Sequence, residues 1–211
     1  MHFPDDFFPG NHIHETAVIS TGAQIGTGNI IGPYCYIGSE VTIGNNNHFF
    51  GYVSIGMTAE HRDYFNSPGE VVIGNSNVVR EFVTINSSTK GVTKMGNGCT
   101  MLRGSHLSHD SVLEDRVTVS CNVLIGGESY IMEGANLGLG AVLHQYQVIG
   151  AYAMLGMGAV VPKKTDILPG QIYAGNPAKF LKRNEIGLER NKISAQLLAE
   201  LTDKYWKLRR K

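Results

Sequence analysis

The sequence predicts an all-β chain: a parallel β-helix built from a six-residue repeat, followed by a short α-helical segment. Three observations lead there. An aliphatic residue recurs every six positions over most of the 211 residues. Glycine is abundant at 26 residues, while charged residues make up only 17%, which suits a repetitive chain with many tight corners. An apolar stripe of helical period appears only after the repeat has ended.

The repeat opens at Ile13 and continues through Ile19, Ile25, Ile31, Ile37, Ile43, Phe49 and Ile55. Four residues after each aliphatic position a small or β-branched residue often follows, as at Ala17, Ala23, Cys35, Val41 and Val53. A period of six is too short for a helical repeat and lacks the strict alternation of a sandwich strand. Each hexad makes one short strand and one corner. Three hexads make a triangular coil of 18 residues with the aliphatic side chains stacked inward. The phase returns at Ile73, Val79 and Ile85, then runs from Met95 to Ile167.

Two stretches interrupt it. Between Ile55 and Ile73, residues 57–70 carry Glu60, His61 and several aromatic and polar side chains. That gap of 18 residues reads as a loop replacing most of one coil without changing register. Between Ile85 and Met95 the spacing is 10, so four residues bulge out. Both stretches are candidate walls of a cleft. The repeat domain spans residues 11–178. The remainder, 179–211, carries Ile193, Leu197, Leu198, Leu201, Tyr205 and Leu208 on one helical face. Asn184 and Ser194 are candidate caps; the basic end reads as a solvated face favoured by the helix dipole, with a dock for an acidic carrier protein or for phosphate as the functional alternative.

Lysines plus arginines and aspartates plus glutamates both number 18, so net charge is zero and no bulk attraction to nucleic acid is expected. Three cysteines without a CxxC pair fit a reducing compartment. No apolar run is long enough for a membrane span, and the N-terminal stretch does not read as a signal peptide. A cytoplasmic location is expected.

The chemistry concentrates in Ser105-His106-Leu107-Ser108-His109-Asp110. Leu107 and Leu143 lie two coils apart, which puts His109 and His144 on one face, about 10 Å apart along the axis. A carboxylate beside an imidazole fixes its tautomer and favours its protonated form, as a general base needs. A metal would need three converging ligands; the sequence offers no such spacing, and no metal is expected.

Here the chain resembles a known family. Gly104 through Asp110, Gly140-Ala141-Val142-Leu143-His144-Gln145-Tyr146, Asn77 through Ile85, and the Gly175-Asn176-Pro177-Ala178 exit are similar to the UDP-N-acetylglucosamine O-acyltransferases, hexapeptide-repeat enzymes of lipid A biosynthesis. The resemblance covers roughly residues 11–195 and keeps the spacing between motifs. It implies a left-handed coil, a homotrimer with clefts between subunits, and no permanently bound cofactor. The donor would be an acyl group, 3-hydroxyacyl in this family, on acyl carrier protein, or acyl-CoA. The acceptor would be a nucleotide sugar. Carried over by residue, His109 would be the base, Asp110 its orienting partner, and Gly127 the backbone donor to the oxyanion. His106, His144 and Gln145 would line the sugar and acyl cleft, and Arg190 would meet the nucleotide phosphates. Met157 would form the floor of the acyl groove, where glycine admits long chains and bulkier residues select shorter ones.

The sequence departs from the family pattern in four places. Glu128 stands for a histidine near the sugar, Glu60-His61 for glutamine-aspartate, and Asn86-Ser87 for His-Arg. The helical part is shorter. These departures leave open a related acyltransferase whose acceptor is a different, amino-bearing nucleotide sugar.

Overall fold

The computed structural model describes residues 8–62 and 69–210. Asp63 to Pro68 of the first loop and Lys211 lie outside the described residues. The chain forms a left-handed parallel β-helix of triangular section, closed by two helices. Among the described residues, the face that begins at His12–Ile13 has ten strands, the face that begins at Val18–Ile19 has eight, and the face that begins at Gln24–Ile25 has seven. These are called the first, second and third faces.

Register follows the hexad. Leu107 on the second face pairs with Ile85 on one side and Ile125 on the other, and Ile125 pairs with Leu143. The inward column is dry: Ile37, Phe49, Ile55, Met95, Leu107, Ile125 and Leu155 are 0% exposed. A two-residue strand buries one side chain and exposes the next, so stability comes from stacking between coils rather than from strand length.

The corners explain the small residue at the fourth position. Space inside a triangular turn is limited, and Val83, Val123, Ala141 and Ala159 fill it completely buried. Buried polar groups are satisfied by stacking as well. Asn11, Asn29, Asn47 and Asn77 form a column in which each amide nitrogen donates to a neighbouring side-chain oxygen and to the carbonyl of Gly26, Gly44, Gly74 or Gly96, or begins the column from Phe8. The column ends where Asn77 Oδ1 accepts the Cys99 N–H at 2.7 Å. The Cys99 thiol donates to the Glu114 carbonyl at 3.0 Å, and burial pushes its pKa up to about 11.

The first interruption differs from its sequence reading. Ile55 lies on the second face and Ile73 on the third, paired with Ile43. The segment therefore inserts twelve residues at one corner (18 less the ordinary 6) and replaces no coil. Twelve is a multiple of the period, so the insertion leaves no phase change for the sequence to betray. The second interruption is the four-residue bulge expected. It leaves the prism at the same corner, between Ile85 on the second face and Met95 on the third. Both excursions thus rise from one edge.

At the C-terminal end the chain does not turn helical at residue 179. Lys179–Arg183 runs antiparallel to Gln171–Ala174 and ends the first face. Two helices follow, α1 (Glu185–Arg190) and α2 (Ala195–Arg209), each with its own cap: Asn184 Oδ1 accepts from the Gly187 N–H, and Ser194 Oγ from the Leu197 N–H. The apolar stripe of α2 covers the third face, burying Leu201 and Tyr205 with Met132, Val148 and Tyr152. Leu197 stays 39% exposed at the free end of the stripe. Lys204 pairs with Glu114 at 2.5 Å and Arg209 with Asp166 at 2.9 Å, pinning α2 to the prism. Among the described residues no helix is long and apolar enough to cross a membrane.

Candidate active site

His109 sits where the second face turns into the third, two residues past the buried Leu107. It is 5% exposed. Asp110 takes the left-handed backbone at φ +57°, a conformation aspartate tolerates better than most residues. That turn brings its carboxylate back to the preceding ring, and Asp110 Oδ2 lies 2.8 Å from His109 Nδ1. Burial pushes the Asp110 carboxyl upward. Hydrogen bonds from Thr89, Gly91, His109 and Lys90 outweigh burial and hold it well below the usual carboxylate range. An ionised carboxylate only accepts, so Nδ1 is the ring nitrogen that donates to it, and Nε2 is the one left for a substrate.

Gly127 is the corner residue one coil onward, stacked against the face of this ring. A Cβ built on Gly127 would stand 2.6 Å from His109 Nε2 and 2.7 Å from Cε1. Only glycine lets the backbone pass so near the nitrogen. The Gly127 carbonyl accepts from the Tyr146 N–H at 2.9 Å. Glu128 follows with φ +57°, and its N–H donates to the His109 carbonyl at 2.9 Å. Its carboxylate takes the hydrogen bond of the Tyr146 phenol, which raises that phenol's pKa.

His106 points off the second face, its Nδ1 2.7 Å from Thr84 Oγ1. Burial lowers its pKa, Glu60 opposes this, and the neighbouring His109 adds to it. His61 comes in from the first inserted loop and meets the His109 ring edge-on, with centroids 5.3 Å apart at 88°. Glu60, Thr84, His106, Ser108, Leu124 and Leu143 line an open groove of about 430 Å³ beside the corner. His144 and Gln145 are exposed one coil past Gly127, and His144 Nδ1 stays within 3.0 Å of the Gln145 carbonyl.

The fold brings His109, Asp110, Gly127, Glu128, His106, Glu60 and His61 together, with His144 and Gln145 on the same edge. Two expected residues lie elsewhere in the chain. Met157 is 76% exposed at the corner between the first and second faces. Arg190 ends α1 and lines a separate polar cavity of about 400 Å³ with Arg116, Asn136, Tyr152, Asn184 and Asn191. Arg116 is paired there with Glu133 and donates to the Tyr152 hydroxyl at 3.0 Å.

Sequence reasoning missed three contributors: Thr84 against His106, the Thr89–Gly91 loop around Asp110, and Arg116 beside Arg190. The bulge between Ile85 and Met95 was the available signal for the second.

No family model matches the chain. Curated relatives do. An acyl-[acyl-carrier-protein]–UDP-N-acetylglucosamine O-acyltransferase of Thiobacillus denitrificans is 34% identical over 214 residues, covering 92% of this chain and 82% of its own. The chain belongs to this acyltransferase family. A second relative, from Albidiferax ferrireducens, is 31% identical over 208 residues, with coverages of 89% and 78%. Among solved structures, the UDP-N-acetylglucosamine acyltransferase of Campylobacter jejuni aligns with a TM-score of 0.77 at 26% identity, covering 90% of this chain and 82% of that one. The enzyme LpxA of Acinetobacter baumannii aligns with 0.74 at 27%, covering 93% and 81%. As a family member the chain is an acyltransferase, and its coil is the family's coil.

Proposed function

We propose that this acyltransferase moves a 3-hydroxyacyl group from the thioester of acyl carrier protein to a sugar hydroxyl of UDP-N-acetylglucosamine, a step of lipid A biosynthesis. The observation that carries the reading is the buried His109–Asp110 pair with Gly127 against its free nitrogen. The family membership supplies donor and acceptor. His109 Nε2 takes the proton of the hydroxyl as its oxygen attacks the thioester carbonyl. The carbonyl oxygen becomes an anion, stabilised by the Gly127 N–H at the moment charge develops. The intermediate collapses, the C–S bond breaks, and the phosphopantetheine sulfur takes the proton back from the imidazolium. Neither a covalent enzyme intermediate nor a cofactor takes part. The test is to incubate the protein with acyl carrier protein thioesters and UDP-N-acetylglucosamine. Acylated nucleotide sugar is expected, with acyl-CoA a poorer donor; free carrier without acylated sugar would overturn the proposal.

The working unit in this proposal is a homotrimer. Exposed apolar residues collect along the corner between the first and second faces: Tyr34, Tyr52, Phe82, Leu139 and Met157. Leu124 and Val142 extend the patch over the second face. Exposed Arg103 and Asn122 divide this edge into two apolar clusters, Tyr34-Tyr52-Phe82 and Leu139-Met157, and exposed apolar clusters on one corner mark an interface. Three prisms meeting at that corner set the second face of one copy against the first face of the next. His109 is at the outer margin of the second face and Arg190 at the outer margin of the first. Packing in this way therefore places the neighbour's arginine cavity across the cleft from the base, where the nucleotide phosphates bind. His109→Ala and Arg190→Ala subunits are each expected to be nearly inactive at low acceptor concentration. Refolded together in equal amounts they should recover about a quarter of wild-type activity, because half the base sites face half the arginine sites. No recovery would place both residues in one subunit's site.

Met157 sets donor length in this arrangement, standing on the same corner as Leu139. Met157→Gly is expected to shift preference toward longer acyl chains, by about fourfold in kcat/KM for each extra methylene the deeper floor buries. An unchanged chain-length profile would remove Met157 from the groove.

A further inference from the structure

Three residues of the swollen Ile85-to-Met95 connection, Thr89, Lys90 and Gly91, close around one side chain. The Asp110 carboxylate accepts from the Thr89 N–H at 3.0 and 3.2 Å, the Thr89 hydroxyl at 2.7 Å, the Lys90 N–H at 3.1 Å and the Gly91 N–H at 2.8 Å. Beneath it, the Asp110 N–H donates to Thr93 Oγ1 at 2.8 Å. Thr93 is itself 0% exposed. We propose that Thr89 is a positioning residue for acyl transfer: its hydroxyl and the loop N–H groups lock the Asp110 carboxylate, and through it the His109 ring, so that Nε2 is always the base. The inference rests on the reading of His109 as general base.

A carboxylate offers about four lone-pair sites. The loop occupies most of them and leaves one aimed at His109 Nδ1. Two consequences follow for the reaction. The carboxylate cannot rotate away from the ring without breaking several charge-assisted bonds together, and such bonds are about twice as strong as neutral ones. It also cannot take the proton from the imidazolium when the base becomes charged, because donors already surround it. The ring then holds one tautomer and one orientation through the catalytic cycle. Thr89 is the one contributor to the loop's share of this cradle whose donor belongs to a side chain, and its 2.7 Å contact is the shortest of the set. A loop serving only to cap the corner would not need to aim four donors at a group already paired with a histidine.

The test compares Thr89→Val, which keeps the shape and loses the hydroxyl, with Thr89→Ser, which keeps the hydroxyl, in wild-type and Asp110→Ala backgrounds. Thr89→Val is expected to lower kcat about tenfold with KM unchanged, since small misplacements of a catalytic group are costly. Thr89→Ser should stay within about twofold of wild type, and Thr89→Val should cause no further loss once Asp110 is gone. The ¹⁵N spectrum of His109 should show one Nδ1–H tautomer in wild type and a mixture in Thr89→Val. Wild-type kcat in Thr89→Val, or an equal loss in the Asp110→Ala background, would overturn the inference. Should Thr89→Val fail to fold, the tautomer of Thr89→Ala answers the same question. The two readings separate cleanly. Full activity in His109→Ala defeats the base assignment and leaves the tautomer test standing. An inactive His109→Ala with a normal Thr89→Val defeats only the loop's role.

Discussion

His109→Ala is expected to lose between about 10²- and 10⁴-fold in kcat, the range removed with a general base, while its melting profile stays close to wild type. The fold tolerates the change because the side chain lies off the aliphatic column. Leu107 and Leu113 on either side keep the core closed. The bond that ties this corner to the next coil runs through the His109 carbonyl, which accepts from the Glu128 N–H, and alanine retains it. What the structure loses is the 2.8 Å bond to Asp110, whose carboxylate keeps its loop donors, and the edge-on contact with His61. Acceptor KM should move little, because the groove is lined by other residues. Turnover under saturating donor and acceptor, with a circular dichroism melt on the same preparation, gives the answer. Near-wild-type kcat would mean that another group takes the proton.

Gly127→Ala should be nearly as damaging, by about 10²-fold or more, for a steric reason. The added methyl would sit 2.6 Å from His109 Nε2, far inside contact distance, so one side must give. Neither can move freely. The ring is held by Asp110, which the Thr89–Gly91 loop holds in turn. The Gly127 backbone is held by the Tyr146 N–H. Either the imidazole leaves its carboxylate or the corner opens and carries the oxyanion donor away; both outcomes stop the reaction. The backbone at Gly127 is not in the left-handed region, so alanine adds no conformational penalty there; the steric clash should lower the melting temperature modestly and kcat much more. Wild-type turnover in Gly127→Ala would show that His109 has room the geometry denies it.

The reach of the sequence follows from what leaves a side-chain signature. A six-residue period requires inward residues of one kind, and the buried column from Ile19 to Ile167 is the set the period names. His109 and Asp110 stood out because two side chains with complementary chemistry are adjacent in the chain. The Thr89–Gly91 cradle did not, since three of its four donors are backbone N–H groups, which any residue carries. The first insertion hid its true position because twelve added residues preserve the phase. Arg190 could be named by motif, but its cavity depends on how α1 meets the first face, and no local pattern encodes that packing. Glu128 was visible as a departure. Its pairing with Tyr146 depends on two corners stacked 18 residues apart, a contact that appears only once the coil is closed.

The bond formed in the product tests the central claim most directly. The protein should be incubated with 3-hydroxyacyl carrier protein and UDP-N-acetylglucosamine, and the acylated product followed by mass spectrometry before and after mild alkali. Transfer to a sugar hydroxyl predicts an ester, so the acyl mass should disappear on alkali treatment and UDP-N-acetylglucosamine should return. An alkali-stable product, or acylation seen only when an amino-bearing nucleotide sugar replaces UDP-N-acetylglucosamine, would contradict it and make Glu128 with the Glu60-His61 loop the determinants of a different acceptor.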